Sequence, residues 1–222
     1  MIALIDYGAG NLTSVRKAFA ALGADIATPR DPQALRDASA VIVPGVGHFG
    51  ATRSLEAAWR EAIERRVTAG AMLFGICLGM QWLFEGSTEA PDVAGLGRLS
   101  GMCTRLDDRG GTIKVPHVGW NALAVTRRSA LLDGVLDGSY VYFTHSYAAP
   151  VTDATAATAE HGSAFAAVVE SGNLMGVQFH PEKSGDTGLK ILSNFLRLAN
   201  SRTLDVSGAG RWSGGFTVEP GL

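Results

Sequence analysis

The stretch LFGICLGMQWLF, residues 73–84, sets one cysteine between two glycines inside an otherwise apolar run. The preceding AMLFGI, residues 71–76, is short and apolar enough to be a strand buried on both faces, and Cys77 follows it directly. A nucleophile flanked by glycines, where a buried strand turns sharply into a helix, is the elbow of G-x-S-x-G hydrolases. Here Gly75-Ile76-Cys77-Leu78-Gly79 supplies it with cysteine. Such a turn throws the thiol out at the C-terminal edge of the sheet and faces the first helical amides toward an incoming carbonyl oxygen. On this stretch alone, a small buried hydrophobe beside packing glycines remains an open alternative.

Working outward, IALI at 2–5 reads as a strand and NLTSVRKAFAALG at 11–23 as a helix capped by Asn11 and stopped at Gly23. AVIV at 40–43 is a second strand, preceded by DPQALRDA, in which Asp31 caps and Pro32 takes the first helical position. ATRSLEAAWREAIERRVTAG then predicts one long helix before the Cys77 strand. This βαβα rhythm predicts an α/β fold with a mostly parallel central sheet flanked by helices. The second half has shorter strands. GMCTRL and TIKV flank the turn signal DDRGG, and YVYFTHSY, AFAAVVE and LMGVQF follow, so some antiparallel strands join the sheet. A closing helix is predicted over 186–199. Residues 1–200 are thus read as one domain and 201–222 as a Gly/Ser-rich tail, mobile or loosely docked.

Composition narrows the function. A formal charge of −2 over 222 residues, with both signs interspersed, offers no electropositive face for nucleic acid or an anionic membrane. No apolar run is long enough to span a bilayer and no leader is visible, so the expected compartment is the cytosol. Two cysteines, Cys77 and Cys103, are too few for a disulfide framework. Cys103 reads as structural. His48, His117, His145 and His180 show no ligand spacing, so no metal is expected. Gly8-Ala9-Gly10 resembles a dinucleotide turn, but Thr13 stands where the third glycine of G-x-G-x-x-G belongs, and no cofactor is expected.

A cysteine nucleophile needs a base. Of the five histidines, His180 ends an apolar run and is followed by Pro181 and Glu182. If the extended form persists, residues 180 and 182 share one side of the chain, and Glu182 orients the imidazole that activates Cys77. For H-P-E alone, an exposed histidine beside a solvated glutamate is an equal reading.

GICLGMQ, FHPEKS and the early loop PGVGHFG, in this order along about 200 residues, together resemble the class I glutamine amidotransferases. More narrowly, DYGAGNLTSV at 6–15, PHVGWN at 116–121 and YFTHSY at 142–147 are similar to the glutaminase subunits of imidazole glycerol phosphate synthases. The resemblance implies a flavodoxin-like α/β fold with a Cys77-His180-Glu182 triad. It implies hydrolysis of L-glutamine and delivery of ammonia to a separate (β/α)8 cyclase subunit in histidine biosynthesis. Leu78 and the Val46-Gly47 turn are the candidate oxyanion donors. By the same resemblance Gln81, His145, Ser146 and Tyr147 bind substrate, while Asn11, Trp120 and Lys183 face the cyclase. Without that likeness, Trp120 reads as core and Lys183 as a solvated charge. The alternatives are a glutaminase serving another acceptor pathway, or a noncatalytic interaction protein with this fold.

Overall fold

A computed structural model describes residues 1–55 and 57–207. The first half alternates as its hydrophobic rhythm predicts. β1 (Ile2–Leu4) leads to α1 (Leu12–Ala21), β2 (Ala40–Val43) to α2 (Ala57–Thr68), and β3 (Met72–Ile76) to the short α3 (Leu78–Trp82). There follow β4 (Gly86–Ser87), β5 (Met102–Arg105), β6 (His117–Ala122), β7 (Ala124–Val125), β8 (Tyr140–His145) and β9 (Tyr147–Ala148). β10 (Thr155–His161), β11 (Ser163–Ser171), β12 (Leu174–Val177) and α4 (Gly185–Ser207) complete the described chain.

Seven strands form one sheet in the order β1-β2-β3-β12-β11-β10-β7. The pairs β1/β2, β2/β3 and β3/β12 are parallel, and β11, β10 and β7 extend the sheet antiparallel. Successive strand residues point to opposite faces, and here both faces are covered. Leu4, Ile42, Phe74 and Ile76 pack with Phe19 of α1 and Phe195 of α4, whereas Ile5, Val41, Val43 and Leu73 pack with Ile63 and Val67 of α2. Burial on both sides explains why these strands read as unbroken apolar runs instead of alternating ones.

The structure departs from the sequence expectation in four places. The long helix over 51–70 is two pieces, because a 3₁₀ turn at Phe49–Ser54 is held apart from α2. Its Phe49 N–H donates to the Glu89 carboxylate at 2.7 Å, a partner 40 residues away that no local pattern shows. TIKV is not a strand. Asp108 accepts from Gly110 and Gly111 N–H and closes the segment into a turn, while β5 pairs with β4 and β9 instead. The closing helix runs to Ser207, eight residues past the expected end, since neither glycine nor proline interrupts the sequence before Gly208. The rest of the proposed 201–222 tail lies outside the described residues. Finally, PHVGWN supplies a strand: β6 pairs antiparallel with β8 in a two-stranded ribbon, His117 opposite His145 and Trp120 opposite Tyr142. Among the described residues no helix is long and apolar enough to cross a membrane.

Candidate active site

The sheet order brings the chemistry together. β3 and β12 are parallel neighbours with Ile76 opposite Val177, and the Cys77 N–H continues the ladder to the Val177 carbonyl at 2.8 Å. The residues leaving the two strands, Cys77 on one and Gln178-Phe179-His180 on the other, therefore emerge side by side at one edge.

Cys77 sits at the elbow with φ 53° and ψ −108°, the left-handed side of the map that a non-glycine residue rarely adopts. The flanking glycines are required by space. A Cβ on Gly79 would lie 1.8 Å from the Val43 carbonyl oxygen, and one on Gly75 would lie 2.5 Å from the Gly79 oxygen. The turn is thus packed against β2 as tightly as the backbone allows.

His180 and Glu182 meet, by a geometry other than the extended one expected. Pro181–Lys183 forms a single 3₁₀ turn, which returns the Glu182 carboxylate to accept from His180 Nδ1 at 2.8 Å, both side chains 2% exposed. That bond fixes the tautomer and leaves Nε2 as the working nitrogen. Nε2 is buried without a hydrogen-bond partner, as is Glu182 Oε2. Burial by itself would lower the His180 pKa. The Cys77 thiol and the Glu182 carboxylate outweigh it and carry the ring up to about 10.

A cleft of about 270 Å³ opens beside the thiol, lined by Cys77, Leu78, Gln81, His145, Ser146 and Tyr147 together with Gly47, Glu89, Pro116, Val118 and Thr144. The four residues that the resemblance gives to substrate thus border one space. Leu78 is the first residue of α3, so its N–H has no carbonyl within the helix to serve. The Val46 N–H, in contrast, donates to the Ala9 carbonyl at 2.6 Å, while Gly47 takes the positive φ of 95° that turns the loop. Beside this loop lies the Tyr7 hydroxyl, buried and without a partner, its pKa pushed up by burial and by the nearby Cys77 charge.

Sequence reasoning missed an internal polar network. The Tyr147 carbonyl accepts from Gln81 Nε2 at 2.7 Å and His145 Nδ1 at 3.0 Å. His145 Nε2 in turn pairs with His117 Nδ1 at 3.2 Å, and Asn121 Nδ2 lies 3.4 Å from His117 Nε2. The His145 ring is therefore turned into the protein interior as well as bordering the cleft. A histidine directly opposite another in β6 and β8 was the available signal, had the pairing been known.

Burial holds both rings neutral, His117 at about 4 and His145 at about 3, and the neighbouring His161 disfavours a charge on either. The unfolded chain then binds protons first as pH falls below the ordinary value of about 6.5, so stability is full above that value and declines toward about 4. Urea unfolding at pH 7 and pH 5 is expected to show a loss of roughly 2 kcal/mol per histidine. An equal stability at both pH values would contradict neutral burial.

The remaining expected residues lie at the same end. Asn11 caps α1, its Oδ1 accepting from Ser14 N–H at 3.3 Å. Trp120 is 55% exposed, which excludes the core reading, and packs edge-on against Tyr142 at 5.9 Å between centroids. The exposed Lys183 places its Nζ 6.0 Å from the centre of the same Tyr142 ring. Cys103 is fully buried, its thiol pushed up to about 12, in keeping with a packing role.

Comparison with known proteins identifies the family. The family model described as Glutamine amidotransferase class-I matches residues 3–199. The imidazole glycerol phosphate synthase subunit HisH of Halobacterium salinarum is 47% identical over 204 residues, covering 88% of this chain and 92% of that one. The subunit of the same name from Methanothermobacter thermautotrophicus is 44% identical over 199 residues, covering 89% and 98%. Among solved structures, a crystal structure titled glutamine amidotransferase superposes with a TM-score of 0.70 at 21% identity, over 90% of this chain and all of that one. The structure of PurLQS from Thermotoga maritima gives 0.64 at 20% identity, over 89% and 97%, and both support the fold. With the family's pattern matched from residue 3 to residue 199 and the elbow in place, this chain belongs to the class I glutamine amidotransferase family.

Proposed function

We propose that this chain is the glutaminase subunit of an imidazole glycerol phosphate synthase, with Cys77 as nucleophile, His180 as acid and base, and Glu182 as the group that orients His180. The observation that carries the assignment of roles is the meeting of Cys77 with a buried His180–Glu182 pair at adjacent strand ends. The Cys77 thiolate attacks the side-chain amide carbon of L-glutamine, and the carbonyl oxygen takes up the negative charge. His180, as imidazolium, protonates the departing nitrogen, so ammonia leaves and a thioester remains. Water, deprotonated by His180, then attacks the thioester and releases glutamate. Ammonia passes to the cyclase subunit, which consumes it in histidine biosynthesis. The cytosol is the compartment that fits this role.

Gln81 has a defined polarity in this scheme. Both hydrogens of its Nε2 are committed, to Tyr147 O and to Gln178 Oε1, so only its Oε1 remains for a ligand. It receives a donor of the substrate, an amide or ammonium N–H. Leu78 N–H is the standing oxyanion donor. Val46 N–H becomes the second once its peptide plane turns from Ala9, a rotation that the glycines on either side permit.

We assign the cyclase face to the β6–β8 ribbon and the adjoining turns, a reading supported by the exposure of Val118, Trp120 and Tyr140 at 59%, 55% and 61%. This surface is tied to the base: Tyr142, under Trp120 and Lys183, accepts the His180 N–H on its carbonyl at 2.9 Å. Trp120→Ala is expected to weaken cyclase binding by about 2 kcal/mol, roughly 30-fold, while moving the unfolding midpoint by less than about 0.5 kcal/mol. Binding titrations that show no loss would remove Trp120 from the interface.

Glutamate release from L-glutamine, measured for the chain alone and with the cyclase subunit carrying its nucleotide ligand, tests the whole reading. Slow release alone and strong stimulation by the partner are expected, since Val46 N–H is engaged elsewhere in the isolated chain. Absence of hydrolysis in both conditions, with Cys77 reduced, would leave the noncatalytic alternative.

A further inference from the structure

We infer that Gln178 is a fourth member of the catalytic apparatus: its side-chain N–H holds the Cys77 sulfur in the ionised, attacking form. The inference rests on the nucleophilic role given to Cys77 above. Gln178 is fully buried and stands next after β12, with its Nε2 3.7 Å from Cys77 Sγ.

The direction of that contact follows from one backbone group. The Tyr147 carbonyl can only accept, so the Gln81 amide must turn its nitrogen there. The second hydrogen of the same nitrogen goes to Gln178 Oε1 at 3.1 Å. Gln178 must then present nitrogen, and not oxygen, to the sulfur. Reversing Gln81 would set oxygen against oxygen at Tyr147, and reversing Gln178 would set N–H against N–H. The same carbonyl also anchors the histidine relay. His145 donates its Nδ1–H to Tyr147 O, accepts on Nε2 from His117 Nδ1–H, and so leaves His117 Nε2 to accept from Asn121. The donors running from Gln81 through Gln178 thus end at the nucleophile.

Two groups touch the sulfur with opposite effects. The Thr144 carbonyl, 3.9 Å away, accepts from the thiol and favours its protonated form. The Gln178 N–H survives ionisation and is strengthened by it, as charge-assisted hydrogen bonds are, and no water competes at a wholly buried amide. Holding a thiolate also lowers its intrinsic reactivity, but by only about half the logarithm of the gain in its population. At any pH below the thiol's midpoint, the donor gives a net advantage.

The test is the pH dependence of Cys77 alkylation by iodoacetamide in the parent chain, Gln178→Leu, Gln178→Met and Gln178→Glu. Cys103 is fully buried, so Cys77 is the labelled thiol, and a Cys77→Ala chain provides the blank. Gln178→Leu is expected to shift the alkylation midpoint upward by about one pH unit, a tenfold loss of thiolate at a given pH below it. Its alkaline plateau rate is expected to rise about threefold, the intrinsic reactivity that a less acidic thiolate regains. Gln178→Glu introduces a carboxyl that repels a thiolate when ionised, so its upward shift is expected to exceed that of leucine, and Gln178→Met, uncharged and without an N–H, decides the matter if the leucine variant does not fold. Superimposable profiles for parent and folded variants would overturn the inference. Alkylation does not depend on glutamine, so a midpoint shift without any glutamate release would uphold Gln178 while refuting the proposed function. Glutamate release with no midpoint shift would do the reverse.

Discussion

Replacing Cys77 with alanine is expected to abolish glutamate release from L-glutamine, by about 10⁴-fold or more, while ammonia-dependent synthesis by the complex with the cyclase persists. The reason lies in the division of labour. The triad only generates ammonia, and free ammonia supplied from solution bypasses it. The substitution is also structurally mild. Cys77 is 5% exposed and already pays the cost of a positive φ, which alanine meets equally, and the change removes one sulfur atom next to an existing cleft. Both activities are read in the same preparation, with glutamine or an ammonium salt as nitrogen source. Loss of both would contradict the separation of the two chemistries, and retention of the first would remove Cys77 from the mechanism.

Gly79→Ala is the second large effect. The added methyl would lie 1.8 Å from the Val43 oxygen and 2.7 Å from its carbonyl carbon, both backbone atoms with no side-chain rotation to relieve them. Either the elbow or the end of β2 must move. Movement of β2 displaces the Pro44-Gly45-Val46-Gly47 loop that follows it, and movement of the elbow displaces the thiol, so activity is lost by either route. A destabilisation of about 3 kcal/mol in urea unfolding is expected, together with loss of glutamate release. Unchanged stability and activity would mean that the elbow has slack that the geometry does not display.

How much of this was legible in the sequence depends on the range of the interaction. β1, β2 and β3 announce themselves because both of their faces are buried, which leaves short, uninterrupted apolar runs. The elbow is legible because Gly75 and Gly79 are demanded by contacts within a few residues of Cys77 or with the neighbouring strand. The closeness of His180 and Glu182 was also anticipated, although a 3₁₀ turn and not an extended segment achieves it. What the sequence hid is non-local. Gln178 looked like one polar residue in an apolar strand until β12 was placed against β3. His117 and His145 looked unrelated until β6 and β8 were paired. TIKV followed a good turn signal, yet Asp108 closed the segment on itself and β5 found its antiparallel partner in β9.

The pairing of β3 with β12 also orders events in time. Cys77 and Gln178 lie 101 positions apart in the chain, so the ladder joining their strands is among the contacts with the greatest loop-closure cost. A nascent chain that has completed the elbow carries its thiol but has neither His180 nor Glu182 beside it. It lacks its activating base until nearly all of residues 1–182 have been synthesised and the last parallel strand has docked. Maturation of the nucleophile thereby coincides with completion of the sheet, and a chain truncated before β12 is expected to carry Cys77 without the pair that activates it.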